Sequence, residues 1–215
     1  MAVNLVKGQR ISLSKSFVGQ TVYGIGLRWD VGDKNYDLDA MALLLDNTVD
    51  QGGKVINDDF VCAYFNNDRT RDNFDKITFA LPEGGIGFQS IDGSVKSFGD
   101  SRDGAGDGDD EKLELDLSKV DPRVKSILVL VNIYTDDLSS STPNFGQVKN
   151  AAIRLYKGKS DIPELVFELS EDFSTERNLE FVEIYNHNGE WKFKALGDGT
   201  NLSFPEELRK FGISC

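Results

Sequence analysis

One histidine and two cysteines in 215 residues leave little material for most nucleophilic and metal-thiolate chemistry. A lone imidazole, His187, removes Ser-His-Asp, Cys-His and polyhistidine zinc arrangements unless unusual partners substitute. It stands in Asn186-His187-Asn188-Gly189, where the Asn-Gly pair supplies the positive φ angles of a tight hairpin, so the turn accounts for it without function. Two cysteines build no disulfide framework. Cys62 lies inside an apolar strand-like run and Cys215 is the last residue, and both are expected to be reduced thiols. With no redox motif, direct reduction of an oxyanion is not expected. No apolar run approaches the roughly 20 residues of a membrane-spanning helix. The opening Met1-Ala2-Val3-Asn4-Leu5-Val6-Lys7-Gly8 lacks the basic-then-apolar form of a secretory signal, so a cytoplasmic protein is expected. Positive charge is also short: 24 Lys and Arg face 36 Asp and Glu, a formal net charge of −12. That balance disfavours direct contact with nucleic acid or anionic lipid, whose binding relies on neutralising phosphates.

What the chain has in excess is acid, and it is concentrated. Residues 99–111 hold five aspartates (Asp100, Asp103, Asp107, Asp109, Asp110), Glu111 and four glycines. Like charges this close repel unless a cation neutralises them. Ca²⁺ takes six to eight oxygen ligands at roughly 2.3–2.6 Å, and alternate glycines let a short loop curl so that carboxylates and carbonyls converge. A solvated acidic turn would have the same composition. Spacing favours the ion: Asp103, Asp107, Asp109, Glu111 and Glu114 fall at EF-hand ligand positions, with Gly108 where that loop requires glycine. Ala105 occupies a ligand position, however, and residues 112–117 alternate polar and apolar with period two, so a strand and not a helix follows.

A second acidic pair, Asp37 and Asp39, brackets Leu38 just before an apolar run. In an extended chain both acids point to one face with Cβ atoms about 7 Å apart, a spacing suited to a shared ion, while Leu38 faces the core. Asp30 and Asp33 stand near enough in sequence to complete the shell.

Strand-length runs of alternating hydrophobicity cover 9–13, 21–29, 41–45, 60–65, 76–81, 112–117, 126–134, 151–156, 164–169, 179–185 and 190–196, separated by Gly, Asn, Asp, Ser and Pro clusters. This predicts an all-β, mainly antiparallel chain forming a two-sheet β-sandwich with one or two short helices, in a single domain over 1–215. Helical turns are expected near 117–124 and over 205–211. Segment 66–92, mixed in polarity, reads as a hairpin or excursion between core strands.

Several stretches in order resemble the TerD family, the tellurite-resistance and general stress-response proteins of bacteria. They are Leu5-Val6-Lys7-Gly8-Gln9, Gly26-Leu27-Arg28-Trp29-Asp30, Asp37-Leu38-Asp39-Ala40, the 99–111 loop, Asn144-Phe145-Gly146-Gln147 through Arg154, Asp172 to Glu176 and Tyr185 to Gly197. The resemblance implies a β-sandwich that binds one or two Ca²⁺ ions without enzymatic activity. It also implies work in a stress complex with an integral membrane partner, at the inner membrane face. By motif it makes Asp37, Asp39, Asp100, Asp107, Asp109, Asp110 and Glu111 the expected ligands. The chain departs from the family pattern at Ser97, Ser101 and Asp103, and Asp103 adds a candidate ligand; segment 66–92 also looks longer than usual.

The leading reading is a non-enzymatic Ca²⁺ module whose ion orders the Gly/Asp loop. One alternative is a metal-dependent enzyme acting on a phosphate-containing substrate, with Mg²⁺ or Mn²⁺ on the same carboxylates. Another is a protein that binds a cyclic nucleotide or other small anion through Arg154 or Arg102. For Arg154, between Ile153 and Leu155 in a strand, a structural ion pair is the favoured expectation.

Overall fold

The computed structural model describes residues 2–30, 36–63, 72–82, 84–98, 108–134, 143–169, 173 and 175–214. Asp33, Asp100, Arg102, Asp103, Asp107 and Cys215 lie outside the described residues. In chain order the elements are β1 (Val3–Leu5), β2 (Arg10–Ser12), α1 (Leu13–Ser16), β3 (Val22–Asp30), β4 (Asp37–Leu45), β5 (Val61–Cys62), β6 (Thr78–Ala80), β7 (Ile86–Gln89), β8 (Val95–Ser97), β9 (Glu111–Asp116), β10 (Ser126–Tyr134), β11 (Lys149–Lys157), β12 (Pro163–Glu168), β13 (Asn178–His187), β14 (Glu190–Thr200) and α2 (Phe204–Lys210). They form two sheets, ordered β1-β12-β11-β3-β9-β8-β7-β6 and β2-β14-β13-β10-β4-β5. Every pairing is antiparallel except β1 with β12. The expected all-β sandwich is the observed architecture.

Alternation explains the layers. Along β3, Tyr23, Ile25, Leu27 and Trp29 are buried, and the intervening Gly24, Gly26, Arg28 and Asp30 face away from that core. Strand β10 is buried from Ser126 to Ile133, as a strand covered on both faces must be, and its composition is accordingly an apolar run. Each fully buried Leu, Ile or Phe contributes roughly 1.5–3 kcal/mol, so the continuous core is what fixes the positions of the polar ends. After β14, α2 starts at a capping box between Ser203 and Glu206 with Pro205 in its first turn and stops before Gly212, whose φ is 84°.

Two sequence expectations change. Residues 117–124 form turns and no helix. Asp116 accepts from the Ser118 N–H at 3.1 Å and Asp121 from the Arg123 N–H at 2.9 Å, local side-chain bonds that offer the backbone an alternative to helical pairing. The run at 41–45 begins earlier, at Asp37, because its first residues are the acids themselves. Within 66–92, β6 and β7 form the expected hairpin, and β8 joins it to the edge of the first sheet.

Candidate functional site

The two acidic segments meet at one corner of the sandwich, where β3 and β9 of the first sheet face the start of β4 in the second. Asp37 and Asp39 open β4 opposite Tyr134 and Asn132 of β10, and Leu38 between them is fully buried. The extended backbone puts both acids on one face, as their spacing predicts. Across the corner, β9 begins at Glu111, which pairs with Leu27, and the ladder continues one bond further through the Asp110 N–H to the Leu27 carbonyl at 2.8 Å.

Both acids at this end of the loop hold main chain. Asp110 Oδ2 accepts from the Trp29 N–H at 3.1 Å. Glu111 Oε2 accepts from the Ala40 N–H at 2.5 Å, reaching from the first sheet to the residue that follows Asp39 in the second. Glu111 is only 7% exposed, and a carboxylate so placed is tolerated only with such bonds, which are stronger than neutral ones. Trp29, itself buried, closes the corner by donating its indole N–H to the Tyr36 carbonyl at 3.1 Å.

Asp30 goes elsewhere. It accepts from the Asn150 side-chain amide at 2.6 Å and from Arg28 at 3.4 Å, and the Asn150 bond, with Arg28 helping, holds its carboxyl below the usual range. Asn150 adopts φ of 54° where the β3–β11 register shifts, so a bulge aims its side chain at Asp30. Nothing in the sequence beyond an Asn tolerant of that conformation signalled this contact.

Asp109 also leaves the corner. Its carboxylate lies over Gly26 on the outward face of the first sheet and pairs with Arg154 at 3.3 Å, so Arg154 does form the expected ion pair. Glu114, the last EF-hand position, sits in β9 opposite Gly24 and belongs to a strand, not a metal loop. Cys62 is fully buried, donates to the Phe88 carbonyl at 3.3 Å, and its thiol is pushed up to about 12 by burial, an inert side chain. His187 is exposed at the β13–β14 turn, where Asn188 and Gly189 take the positive φ angles that the Asn-Gly pair predicts.

The donors at the corner are oxygens throughout, which suits a hard cation and not a thiophilic one. Asp37, Asp39, Asp110 and Glu111 are thus of the donor type that Ca²⁺ takes. Among the described residues, no three His, Cys, Asp or Glu side chains form a group able to hold a metal.

A family model described as TerD domain matches residues 1–211. The chain is 37% identical to "Tellurium resistance protein TerD" of Serratia marcescens, over 100% of this chain and 99% of that one. It is 36% identical to "General stress protein 16U" of Bacillus subtilis, over 99% and 98%, and 38% identical to the Bacillus subtilis protein YceE, over 99% of both. Among solved structures, the protein SAV2460 superposes with a TM-score of 0.61 at 24% identity over 92% of this chain and 99% of that one. A TerD homologue from Streptomyces coelicolor gives 0.56 at 20% over 86% and 94%. At these identities the superpositions speak for the fold.

Proposed function

Because the chain belongs to the TerD domain family, we propose that it is a stress-response protein of the tellurium-resistance kind. In this reading it works without catalysis, as a Ca²⁺-binding module. The observation that carries the proposal is the Glu111–Ala40 bond, which brings the end of the acidic loop beside Asp39. Asp37, Asp39, Asp110 and Glu111 would hold the ion together with Asp100, Asp103 and Asp107 of the loop. Bound there, Ca²⁺ would supply charge neutralisation and an oxygen-coordinating centre.

The protein's own part is positional. Trp29 and Ala40 fix Asp110 and Glu111 through main-chain donors, so two carboxylates stand in place before any ion arrives. The ion would then stabilise the state in which the loop's ligands converge with them. Ordering the loop changes the surface at that corner, which suits a switch read by a protein partner, one of them expected in the membrane. No helix among the described residues is long and apolar enough to cross a membrane.

Calorimetric titration of chelator-stripped protein with Ca²⁺ and with Mg²⁺ tests the proposal, repeated on Asp37→Asn and Asp107→Asn. Strong Ca²⁺ heats weakened by either substitution are expected. Absence of binding would reduce the loop to a solvated acidic turn.

A further inference from the structure

The underside of α2 sets two buried carboxylates against one cation. Glu180 of β13 is 3% exposed and Glu207 of α2 is fully buried, whereas the Lys210 side chain keeps 43% of its surface in solvent. Lys210 Nζ donates to Glu180 Oε1 and stands 3.8 Å from Glu207 Oε1. An ion pair and one further negative charge are thus held away from water, an arrangement that burial penalises.

Hydrogen bonds offset that cost at only some of the oxygens. Glu207 Oε2 accepts from the Thr200 hydroxyl at 2.5 Å, and Asn178 in turn donates to Thr200 Oγ1 at 3.3 Å and to the Leu202 carbonyl at 2.9 Å. Glu207 Oε1 is buried with no hydrogen-bond donor, so Lys210 has to serve it as well as Glu180. A bulge sets Glu180 beneath the helix: both ladders of β13 skip Phe181, with Leu130 and Asp198 opposite Glu180 and Val129 and Ala195 opposite Val182. Asp198 itself pairs with Lys7 at 3.1 Å. Among the described residues, the charged groups that face Glu180 are therefore Lys210 and Glu207 from α2 and Asp198 from β14.

Burial pushes the Glu180 carboxyl above its ordinary 4.5; Lys210 pulls it back, and Glu207 and Asp198 add to the rise. A carboxyl raised in this way favours the docked helix fully below pH 4.5, and that contribution is lost as pH climbs through the docked-state value. Desolvation works against the Lys210 charge, but Glu180 holds its ammonium above the ordinary 10.5, so the cation stays in place while Glu180 titrates. The helix pairs with no strand and can open without breaking a ladder. Its apolar attachments are Leu208, Phe211 and Ile213, all buried, and the Phe211 carbonyl accepts from the Val55 N–H at 2.9 Å.

We propose that α2 is a latch held by one proton: with Glu180 protonated the helix stays docked on β13 and β14, and with Glu180 ionised the two buried carboxylates outnumber Lys210 and the helix lifts, exposing Leu208, Phe211 and Ile213. The latch needs no metal and lies on different strands from the acidic corner, so it stands or falls apart from the Ca²⁺ reading.

Amide hydrogen exchange of the whole chain in chelator tests it, each rate being divided by that of an unstructured peptide at the same pH. The reporter is the Val55 N–H, whose acceptor belongs to the segment that lifts, and the β10 amides are the control. In wild type, Val55 protection should fall as pH rises above 4.5, by up to about tenfold per pH unit while one proton is released per opening, and the β10 amides should hold. Glu180→Gln keeps the side chain's shape without its charge, so Val55 should stay protected throughout. Glu207→Gln removes the excess charge and should make the fall shallower. Val55 protection that falls as steeply in Glu180→Gln as in wild type, or that falls together with the β10 amides, would overturn the latch.

Discussion

Asp109 and Asp110 are neighbours in sequence and serve two different regions. Asp109 lies on the outward face of the first sheet, over a glycine floor, neutralised by Arg154. Asp110 and Glu111 turn into the corner between the sheets and hold main-chain N–H groups of β3 and β4. The backbone bends at Asp110 before β9 begins, and that bend divides the acidic run. Among the described acids of the run, Asp109, Asp110 and Glu111 each take their role from the face onto which the chain turns them.

The comparison breaks most visibly at the outer ion pair. Arg154→Met leaves Asp109, whose side chain is only 6% exposed, without its cation, and removing one member of such a pair costs about 3 kcal/mol. Urea unfolding should register that loss, and adding Asp109→Asn should recover most of it, while Ca²⁺ titration heats stay unchanged. At the corner, Glu111→Ala strands the Ala40 N–H and removes a charge-assisted bond; about 2 kcal/mol is expected, this time with Ca²⁺ response weakened too. Gly26→Ala evicts the Asp109 carboxylate by steric conflict and should cost about 1–2 kcal/mol, with the crosspeaks of Trp29 and Ala40 undisturbed.

The smallest effect lies away from both regions. Burial holds the Glu183 carboxyl above its ordinary 4.5 despite the bond it accepts from the Val49 N–H. A carboxyl raised by folding contributes stability that is fully present below pH 4.5 and lost as pH rises through the folded value. Glu183→Gln should flatten that decline, seen as a shallower fall in unfolding midpoint as pH rises above 4.5. Asp30, lowered by Asn150, has the opposite sign: its contribution is present above the ordinary 3.8 and lost as pH falls.

Long strands were legible because alternation survives in them: 126–134 coincides with β10, and 190–196 lies within β14. Strands β1 and β8, of three residues each, are too short to carry a period and were not foreseen. In the site, the Asp37-Leu38-Asp39 pattern announced its geometry because period two is local. The Glu111–Ala40 contact spans 71 residues and the Asp109–Arg154 pair 45, and no local pattern encodes where two sheets touch. Gly24 and Gly26 gave the one missed signal, since alternate glycines inside a strand of otherwise large residues mark a close approach.

Terbium luminescence tests the central claim most directly, because Tb³⁺ can replace Ca²⁺ and glows when a nearby indole transfers excitation to it. Trp29 stands at the corner through its bond to Asp110, whereas Trp191 pairs with Asn186 in the β13–β14 hairpin. Sensitised emission that Ca²⁺ competes away, that Trp29→Phe abolishes and that Trp191→Phe preserves is the predicted result. Emission that depends on Trp191, or none at all, would contradict the placement of a cation between the acidic loop and Asp37 and Asp39.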